Sequence, residues 1–135
     1  MLGELLGEGS GRVAGIRVLP TEGQQVRLEI TIQGSNKVLG VEMTETATYW
    51  QTIRPGGVFY GEGRNVMLTK DGEVAEWTGF GVGRPTGTGS AAHYAVAGAF
   101  HAVPRDLARL TAVTMIGEYD VDENGNYRWQ LWEWK

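Results

Sequence analysis

Two glutamates have the surroundings that acid or base chemistry needs. Glu45 falls on the same strand parity as Met43 and Tyr49, and Glu62 shares its parity with the apolar residues that precede and follow it. When the apolar side of a strand faces a core, a carboxyl group at such a position points inward. Burial disfavours the charged form of the carboxyl and so prepares it to give or take a proton. We therefore predict Glu45 and Glu62 as catalytic candidates.

Arg64 complicates the interpretation of Glu62, because it lies two residues further on and on the same parity. A neighbouring guanidinium stabilises a carboxylate and opposes a role as an acid. Arg64 is predicted instead to bind a ligand. Two alternatives stay open: Glu62 and Arg64 form a structural ion pair near the mouth of a barrel, or a bulge at a glycine shifts the strand phase and leaves Glu62 in solvent.

Aromatic side chains are the second candidate set, and we predict that Tyr49, Tyr60 and Tyr94 contact a ligand. An aromatic lining is typical of pockets for lipophilic or aromatic molecules. The alternative is that the same rings are packed core. The wider aromatic set comprises Tyr49, Trp50, Tyr60, Trp77, Tyr94 and Phe100.

Metal and cofactor chemistry has little support in the sequence. The chain has no cysteine, and its two histidines, His93 and His101, lie eight residues apart. On one strand that spacing separates them by about 26 Å, too far to share an ion. The segment 87–92 loosely matches a dinucleotide-binding loop, but no P-loop lysine accompanies it and the segments around it read as strands. We predict neither a metal nor a cofactor.

The composition limits the remaining function classes. A chain of 135 residues suits one domain over residues 1–135. The net charge is −4, and the 12 Lys and Arg residues are scattered, which argues against a nucleic-acid partner. No stretch approaches the roughly 18 apolar residues that a spanning helix needs, and the first residues do not resemble a signal peptide. Together with the absence of cysteine, these features predict a cytoplasmic protein.

Alternating patterns indicate strands almost throughout. Apolar residues from Val26 to Ile32 alternate with polar ones, and the threonine-rich segment from Val38 to Ile53 is typical of a strand. The alanine-rich segment 91–103 suits a helix by propensity, but its parity favours a strand. Residues 105–110 suit one short helical turn. Turn signals lie at 20–23, 34–36, 54–57, 70–72, 83–87, 104–106 and 124–126.

Seven turns delimit eight strand-like segments of roughly ten to fifteen residues. Antiparallel segments joined by hairpins would leave long exposed edges in an open sheet. Closure removes those edges. The sequence therefore predicts an all-β fold, a single closed eight-stranded antiparallel barrel whose interior is packed or holds one small ligand.

Several motifs together resemble a small uncharacterised bacterial family whose fold is similar to the allene oxide cyclase barrel. They are Tyr49-Trp50, Tyr60-Gly61-Glu62-Gly63, the run from Trp77 to Gly83, Gly87-Thr88-Gly89, and Gly117-Glu118-Tyr119 with Asn124-Gly125. The resemblance implies the barrel and a tendency to self-associate. The cysteine of that cyclase has no counterpart in this chain, and no catalytic signature of the enzyme maps onto matching positions.

Two functional hypotheses follow. In the first, the barrel binds a small apolar or amphipathic molecule, with Glu45 or Glu62 fixing its polar end and isomerase or cyclase chemistry as an extension. In the second, the barrel is packed solid and acts without catalysis as a homo-oligomeric scaffold or interaction module. Outer aromatics such as Trp132 and Trp134 would then meet an identical subunit. The sequence does not decide between an enzyme and a binding or interaction protein.

Overall fold

The computed structural model describes residues 1–20, 23 and 25–135. In this part of the chain eight strands follow one another with two short 3-10 segments between them. The strands are β1 (Leu2–Val18), β2 (Val26–Val38), β3 (Val41–Ile53), β4 (Phe59–Leu68), β5 (Val74–Pro85), β6 (Ala92–Ala102), β7 (Met115–Val121) and β8 (Asn126–Trp134), and the 3-10 segments are Pro55–Gly57 and Arg105–Ala112.

Each strand pairs antiparallel with the next one, and β1 also pairs with β8, so the sheet closes on itself. Leu2 lies opposite Trp134, and Arg12 lies opposite Asn126. The predicted closed eight-stranded antiparallel barrel is confirmed, and the alanine-rich segment is strand β6. No helix in the described part of the chain is long and apolar enough to cross a membrane.

The connection between β2 and β3 differs from the prediction. Residues 34–36 lie inside β2 rather than in a turn, and Leu39 and Gly40 form the connection with φ values of 45° and 83°. Two successive positive φ values are the geometry of a type I′ hairpin turn. Gly34 serves another purpose: a Cβ atom there would overlap Ser10 and Tyr127, so glycine lets the strands approach.

Other turns follow their sequence signals more closely. Gly57 N–H donates to Arg54 O at 3.1 Å, and Gly56 has φ 84° and ψ 4°, as position three of the predicted type II turn requires. At Asp71-Gly72 and Asn124-Gly125 only the glycine has positive φ. These two hairpins therefore use longer loops than a two-residue turn. The predicted turn at 20–23 includes residues 21 and 22, which lie outside the described residues.

Large inward side chains pack over glycines of neighbouring strands. A Cβ atom on Gly63 would lie 2.7 Å from Tyr49 Cβ, and one on Gly83 would lie 2.7 Å from Tyr94 Cδ2. Trp77 covers Gly98 of the neighbouring strand β6 in the same way. A narrow barrel can hold wide rings only where the facing position is small. The predicted helical turn is the segment Arg105–Ala112, which adds the fully buried Leu107 and Leu110 to the core.

Candidate functional site

Three predicted site residues lie on the outer surface of the barrel, so their expected inward orientation is wrong. Glu62 and Arg64 are exposed, and Tyr60 shares their outer parity on β4. The β3–β4 and β4–β5 pairings are regular, so no bulge causes the difference. The apolar parity of β4 is its outer face, while Gly61 and Gly63 occupy the inner one.

The outer residues interact among themselves. Tyr60 OH donates to Glu62 Oε1 at 2.9 Å, and this hydrogen bond raises the pKa of Tyr60. The guanidinium of Arg54 lies 4.3 Å above the Tyr60 ring. Arg64 approaches Glu76 at 4.0 Å, rather than Glu62 as the alternative ion pair required. These are exposed contacts of the kind that contribute little to stability.

Glu45 does point into the barrel, where it is 3% exposed. Its Oε1 accepts from Asn36 Nδ2 at 2.5 Å, and its Oε2 accepts from Tyr127 OH at 2.5 Å and Trp129 Nε1 at 2.9 Å. Three donors from two other strands therefore satisfy both oxygens of this carboxyl group. Buried polar groups need such partners. Glu45 thereby orients Trp129, a ring that lines the interior.

Tyr49 and Tyr94 also point inward, where they meet Tyr119 of β7. Ring centroids are 6.1 Å apart for Tyr49 and Tyr94, 5.6 Å for Tyr49 and Tyr119, and 5.9 Å for Tyr94 and Tyr119. The hydroxyls of Tyr49 and Tyr119 lie 3.2 Å apart. The edge-on and tilted geometries are those that aromatic pairs prefer. The cluster forms one wall of an interior space.

Burial raises the pKa of Tyr49, Tyr94 and Tyr119 above the ordinary value of 10.0. For Tyr94, the nearby Tyr49 adds to the effect of desolvation. All three phenols therefore remain protonated at neutral pH. They can donate hydrogen bonds to an oxygen atom but are unsuited to act as bases.

A cavity of about 100 Å³ lies against this cluster. Its surface is almost entirely apolar and aromatic, and it is large enough for several water molecules or a small organic molecule. The inward residues around it include Ile32, Ala47, Tyr49, Asn65, Met67, Trp77, Tyr94, Val96, Tyr119, Trp129 and Leu131.

Glycines of β4 and β5 form the part of the wall next to the tyrosines. Gly61, Gly63, Gly79 and Gly81 all border the cavity and contribute no side chain to it. Outer-face residues of β4 and β5, namely Glu62, Arg64 and Phe80, also border the space.

Three residues that line the cavity each have a buried polar atom without a hydrogen-bond partner within the described part of the chain. These atoms are Asn65 Oδ1, Trp77 Nε1 and Tyr94 OH. A fourth such atom, Asn36 Oδ1, belongs to a residue outside the cavity lining. Unpaired buried polar atoms are uncommon in folded proteins, and these three lie within the packed wall with almost no accessible surface.

The sequence interpretation did not assign Asn65 or Tyr119 to the site, and it grouped Trp77 only with the wider aromatic set. A signal was present: Asn65 shares its parity with Gly61 and Gly63, and Trp77 shares its parity with Gly79. Glycines repeating every second residue mark the crowded inner face of a narrow barrel. Side chains on that parity therefore face the interior.

His93 has an acidic partner that sequence reasoning also missed. Its Nδ1 lies 2.7 Å from Asp120 Oδ1 on the neighbouring strand β7, on the outer surface of the barrel. The pair lies away from the cavity lining. Among the described residues, no group of three or more His, Asp or Glu side chains is arranged to hold a metal ion.

These features define a class of protein: a closed eight-stranded antiparallel barrel with a mainly apolar interior cavity. No protein-family model matches the chain, and no curated protein matches it.

Solved structures share the fold. A conserved protein of unknown function from Rhodopseudomonas palustris superimposes with a TM-score of 0.81 at 16% identity, over 98% of this chain and 97% of that one. A protein of unknown function from Clostridium acetobutylicum superimposes with a TM-score of 0.81 at 12% identity, over 98% of both chains. For a β-barrel-like protein from Acinetobacter baumannii the TM-score is 0.81 at 14% identity, over 100% of this chain and 96% of that one. For an enzyme from Penicillium herquei the TM-score is 0.68 at 16% identity, over 96% of this chain and 92% of that one. Identities this low establish the fold alone, so the chain is a small barrel whose role its structural neighbours leave open.

Proposed function

We propose that the protein binds a small, mainly apolar molecule inside the barrel. The observation that carries the proposal is the cavity of about 100 Å³ beside Tyr49, Tyr94 and Tyr119. Pockets of this character, with apolar walls and a few convergent polar groups, are the usual form of small-molecule sites. The ligand-binding roles predicted for Tyr49 and Tyr94 are part of this proposal. Tyr60 and Arg64, on the outer face, are left out of it.

The chemistry that suits such a site is acid-type assistance of an isomerisation or cyclisation. Tyr94 OH has no hydrogen-bond partner among the described residues and stays protonated at neutral pH, so we propose it as a hydrogen-bond donor to a carbonyl or ether oxygen. Glu45 has its oxygens occupied by three donors. We propose it as a positioning residue for Trp129. Isomerisation or cyclisation is also the chemistry of the allene oxide cyclase barrel, to which the sequence motifs suggest a similar fold.

Two measurements test the binding. Native mass spectrometry of the purified protein identifies any molecule that co-purifies. Calorimetric titration with acetophenone, an aromatic ketone, should give saturable binding with one molecule per chain.

A matched pair of variants locates the site. Gly61→Ala adds a methyl group beside Tyr94 and should weaken acetophenone binding, whereas Gly15→Ala adds one where nothing lies within 4 Å and should not. Absence of any bound molecule, together with no acetophenone binding, would contradict the proposal.

A second candidate function, a homo-oligomeric interaction module, is favoured by the outer face of β4 and β5. Val66, Leu68, Val74, Phe80 and Val82 are 44–52% exposed there. Apolar patches of this kind often mark protein interfaces. Sedimentation velocity tests it: a concentration-dependent dimer that Phe80→Lys dissociates would support the module, and a monomer at all concentrations would remove it. A cytoplasmic location is likewise a proposal, supported by the absence of cysteine.

A further inference from the structure

Five inward aromatic rings surround the cavity. Tyr49, Tyr94 and Tyr119 form the tyrosine cluster, and the indoles of Trp77 and Trp129 border the same space. Tyr49 and Trp77 are only half-buried although both point inward, so part of each ring remains accessible. A group held in the cavity would therefore have aromatic surface on several sides.

Both indoles turn a flat face toward the interior. A Cβ atom on Gly9 would lie 2.5 Å from both Cε2 and Nε1 of Trp129 and 2.7 Å from its Cζ2. Such similar distances place the flat side of this ring over the glycine. Trp77 lies across Gly79 and Gly98 in the same way, with a different pair of ring atoms over each. The opposite face of each indole is turned to the interior, and the face is the negative part of an aromatic ring.

The electrostatic environment of these rings favours a positive charge. Trp129 Nε1 donates to Glu45 Oε2 at 2.9 Å, and a hydrogen bond to a carboxylate polarises the indole so that its face becomes more negative. All 12 Lys and Arg residues are exposed, so none is buried beside Glu45. Glu62 and Arg64 border the cavity from the outer face, and their charges oppose each other. The interior is therefore negative.

We propose that the cavity binds a quaternary ammonium group. The methyl groups of such a cation give it an apolar surface that matches the apolar walls, while its positive charge is attracted to the faces of Trp77 and Trp129. An ammonium group with N–H bonds would instead lose its hydration on entering an apolar space. This inference rests on the proposed binding function and adds the chemical class of the ligand.

Three probes test the class by calorimetric titration. Choline and 3,3-dimethylbutan-1-ol have the same shape and differ only in a positive nitrogen against a neutral carbon. Choline should bind about tenfold more tightly, because only the cation is attracted to the ring faces. Ethanolamine, whose ammonium keeps its N–H bonds, should bind at least about tenfold more weakly than choline. In NMR spectra, the N-methyl protons of choline should shift upfield on binding, because they lie over aromatic faces.

Fluorination of the indoles separates electrostatic attraction from packing. Fluorine withdraws electron density from the ring face and hardly changes the shape of the ring. Protein in which all 5 tryptophans are replaced by 5-fluorotryptophan should therefore bind choline about threefold more weakly. Its affinity for 3,3-dimethylbutan-1-ol should stay within about twofold, because the neutral molecule does not respond to the charge of the face.

A matched pair of variants locates the group. Trp77→Leu should lower choline affinity about tenfold and leave 3,3-dimethylbutan-1-ol affinity within about threefold. Trp50→Leu is the control, because Trp50 lies on the outer face of β3, where its Nε1 donates to Glu29 at 3.1 Å, and does not line the cavity. It should change neither affinity. If Trp77→Leu does not fold, the fluorinated protein provides the test.

The outcomes distinguish the two proposals. If 3,3-dimethylbutan-1-ol or ethanolamine binds as tightly as choline, or if fluorination leaves choline affinity unchanged, the ligand class is wrong while the binding function stands. Binding of acetophenone without any binding of choline overturns the ligand class in the same way. If none of these molecules binds, both proposals are wrong.

Discussion

At the scale of single residues, Glu45 connects three strands through one carboxylate. Donors from Asn36 on β2 and from Tyr127 and Trp129 on β8 converge on it. Each donor would be buried and unpaired if the carboxylate were lost. A buried charge fixed by donors of this kind holds a single arrangement of the interior.

Glu45→Gln should therefore be strongly destabilising. The amide keeps one acceptor oxygen but places its own N–H groups against the donors that Glu45 accepts from. We expect the free energy of unfolding to fall by about 2–4 kcal/mol in urea denaturation followed by circular dichroism.

Glu42→Gln on the same strand is the control for that prediction. Glu42 lies 3.9 Å from Lys37, and both side chains are largely exposed. The pair should contribute less than about 0.5 kcal/mol. Equal stability of the Glu45→Gln and Glu42→Gln variants would show that the interior network is not what holds this region.

The buried tyrosines predict a loss of stability in alkali. Burial raises the pKa of Tyr49, Tyr94, Tyr119 and Tyr127 in the folded protein, while the unfolded chain keeps the ordinary value of 10.0. Above pH 10.0 the folded state therefore binds more protons than the unfolded state, and stability falls as pH rises. Each tyrosine contributes about 1.4 kcal/mol per pH unit above that point.

Ultraviolet absorbance and circular dichroism measured together check this titration. Tyrosinate absorbance of the buried tyrosines should appear only as the fold is lost, whereas Tyr60 on the outer face should ionise at lower pH. Tyr60→Phe should remove the part of the tyrosinate absorbance that appears before the fold is lost. Ionisation of all five tyrosines before any change in the circular dichroism would show that the interior rings are open to solvent.

The sequence predicted some of these residue positions and not others. Parity placed Glu45, Tyr49 and Tyr94 inside because β3 and β6 have an apolar inner face. The same rule failed for Tyr60, Glu62 and Arg64 because β4 is apolar outside and glycine-rich inside. Hydrophobicity alone does not distinguish a core from an exposed apolar face.

At the scale of elements, the β4–β5 hairpin has two unlike faces. Its inner face carries glycines beside the cavity, and its outer face carries exposed apolar side chains. The inner glycines are not equivalent. A Cβ atom on Gly61 would lie 3.5 Å from Tyr94 Cε2, an ordinary contact. A Cβ atom on Gly79 would overlap the Trp77 ring and lie 2.6 Å from Ala97 O.

Alanine at these two positions should therefore have opposite effects. Gly61→Ala should change the free energy of unfolding by less than about 0.5 kcal/mol, because the methyl group has room and alanine lowers the entropy of the unfolded chain. Gly79→Ala should lower it by about 2 kcal/mol, because backbone and indole must both move. Thermal unfolding of the two variants measures the difference. Equal losses would mean that the cavity at Gly61 is filled.

Turns and strand ends were predictable where the residues have a distinct backbone preference. The type II turn at Pro55-Gly56 and the strands on either side were predictable from proline, glycine and alternation. The turn at Leu39-Gly40 was not, because leucine at a φ of 45° is unusual. Gly34 attracted the prediction instead, although its role is close contact between strands in the closed barrel.

At the scale of the whole molecule, closure was predictable because eight amphipathic strands cannot leave their edges free. The pairing of Leu2 with Trp134 completes it. Whether the interior is filled was not predictable. That depends on how large rings and glycines from different strands meet, which the register of the assembled sheet determines. The buried polar atoms of Asn65, Trp77 and Tyr94, which have no partner among the described residues, are likewise a property of the assembled barrel.

The central claim, that the barrel interior is a binding site for a small, mainly apolar molecule, is tested most directly by a crystal structure of the protein with acetophenone. The account predicts one acetophenone molecule in the cavity, with its ring against the tyrosine cluster. An interior closely packed with side chains, or acetophenone found only on the outer surface, would contradict it.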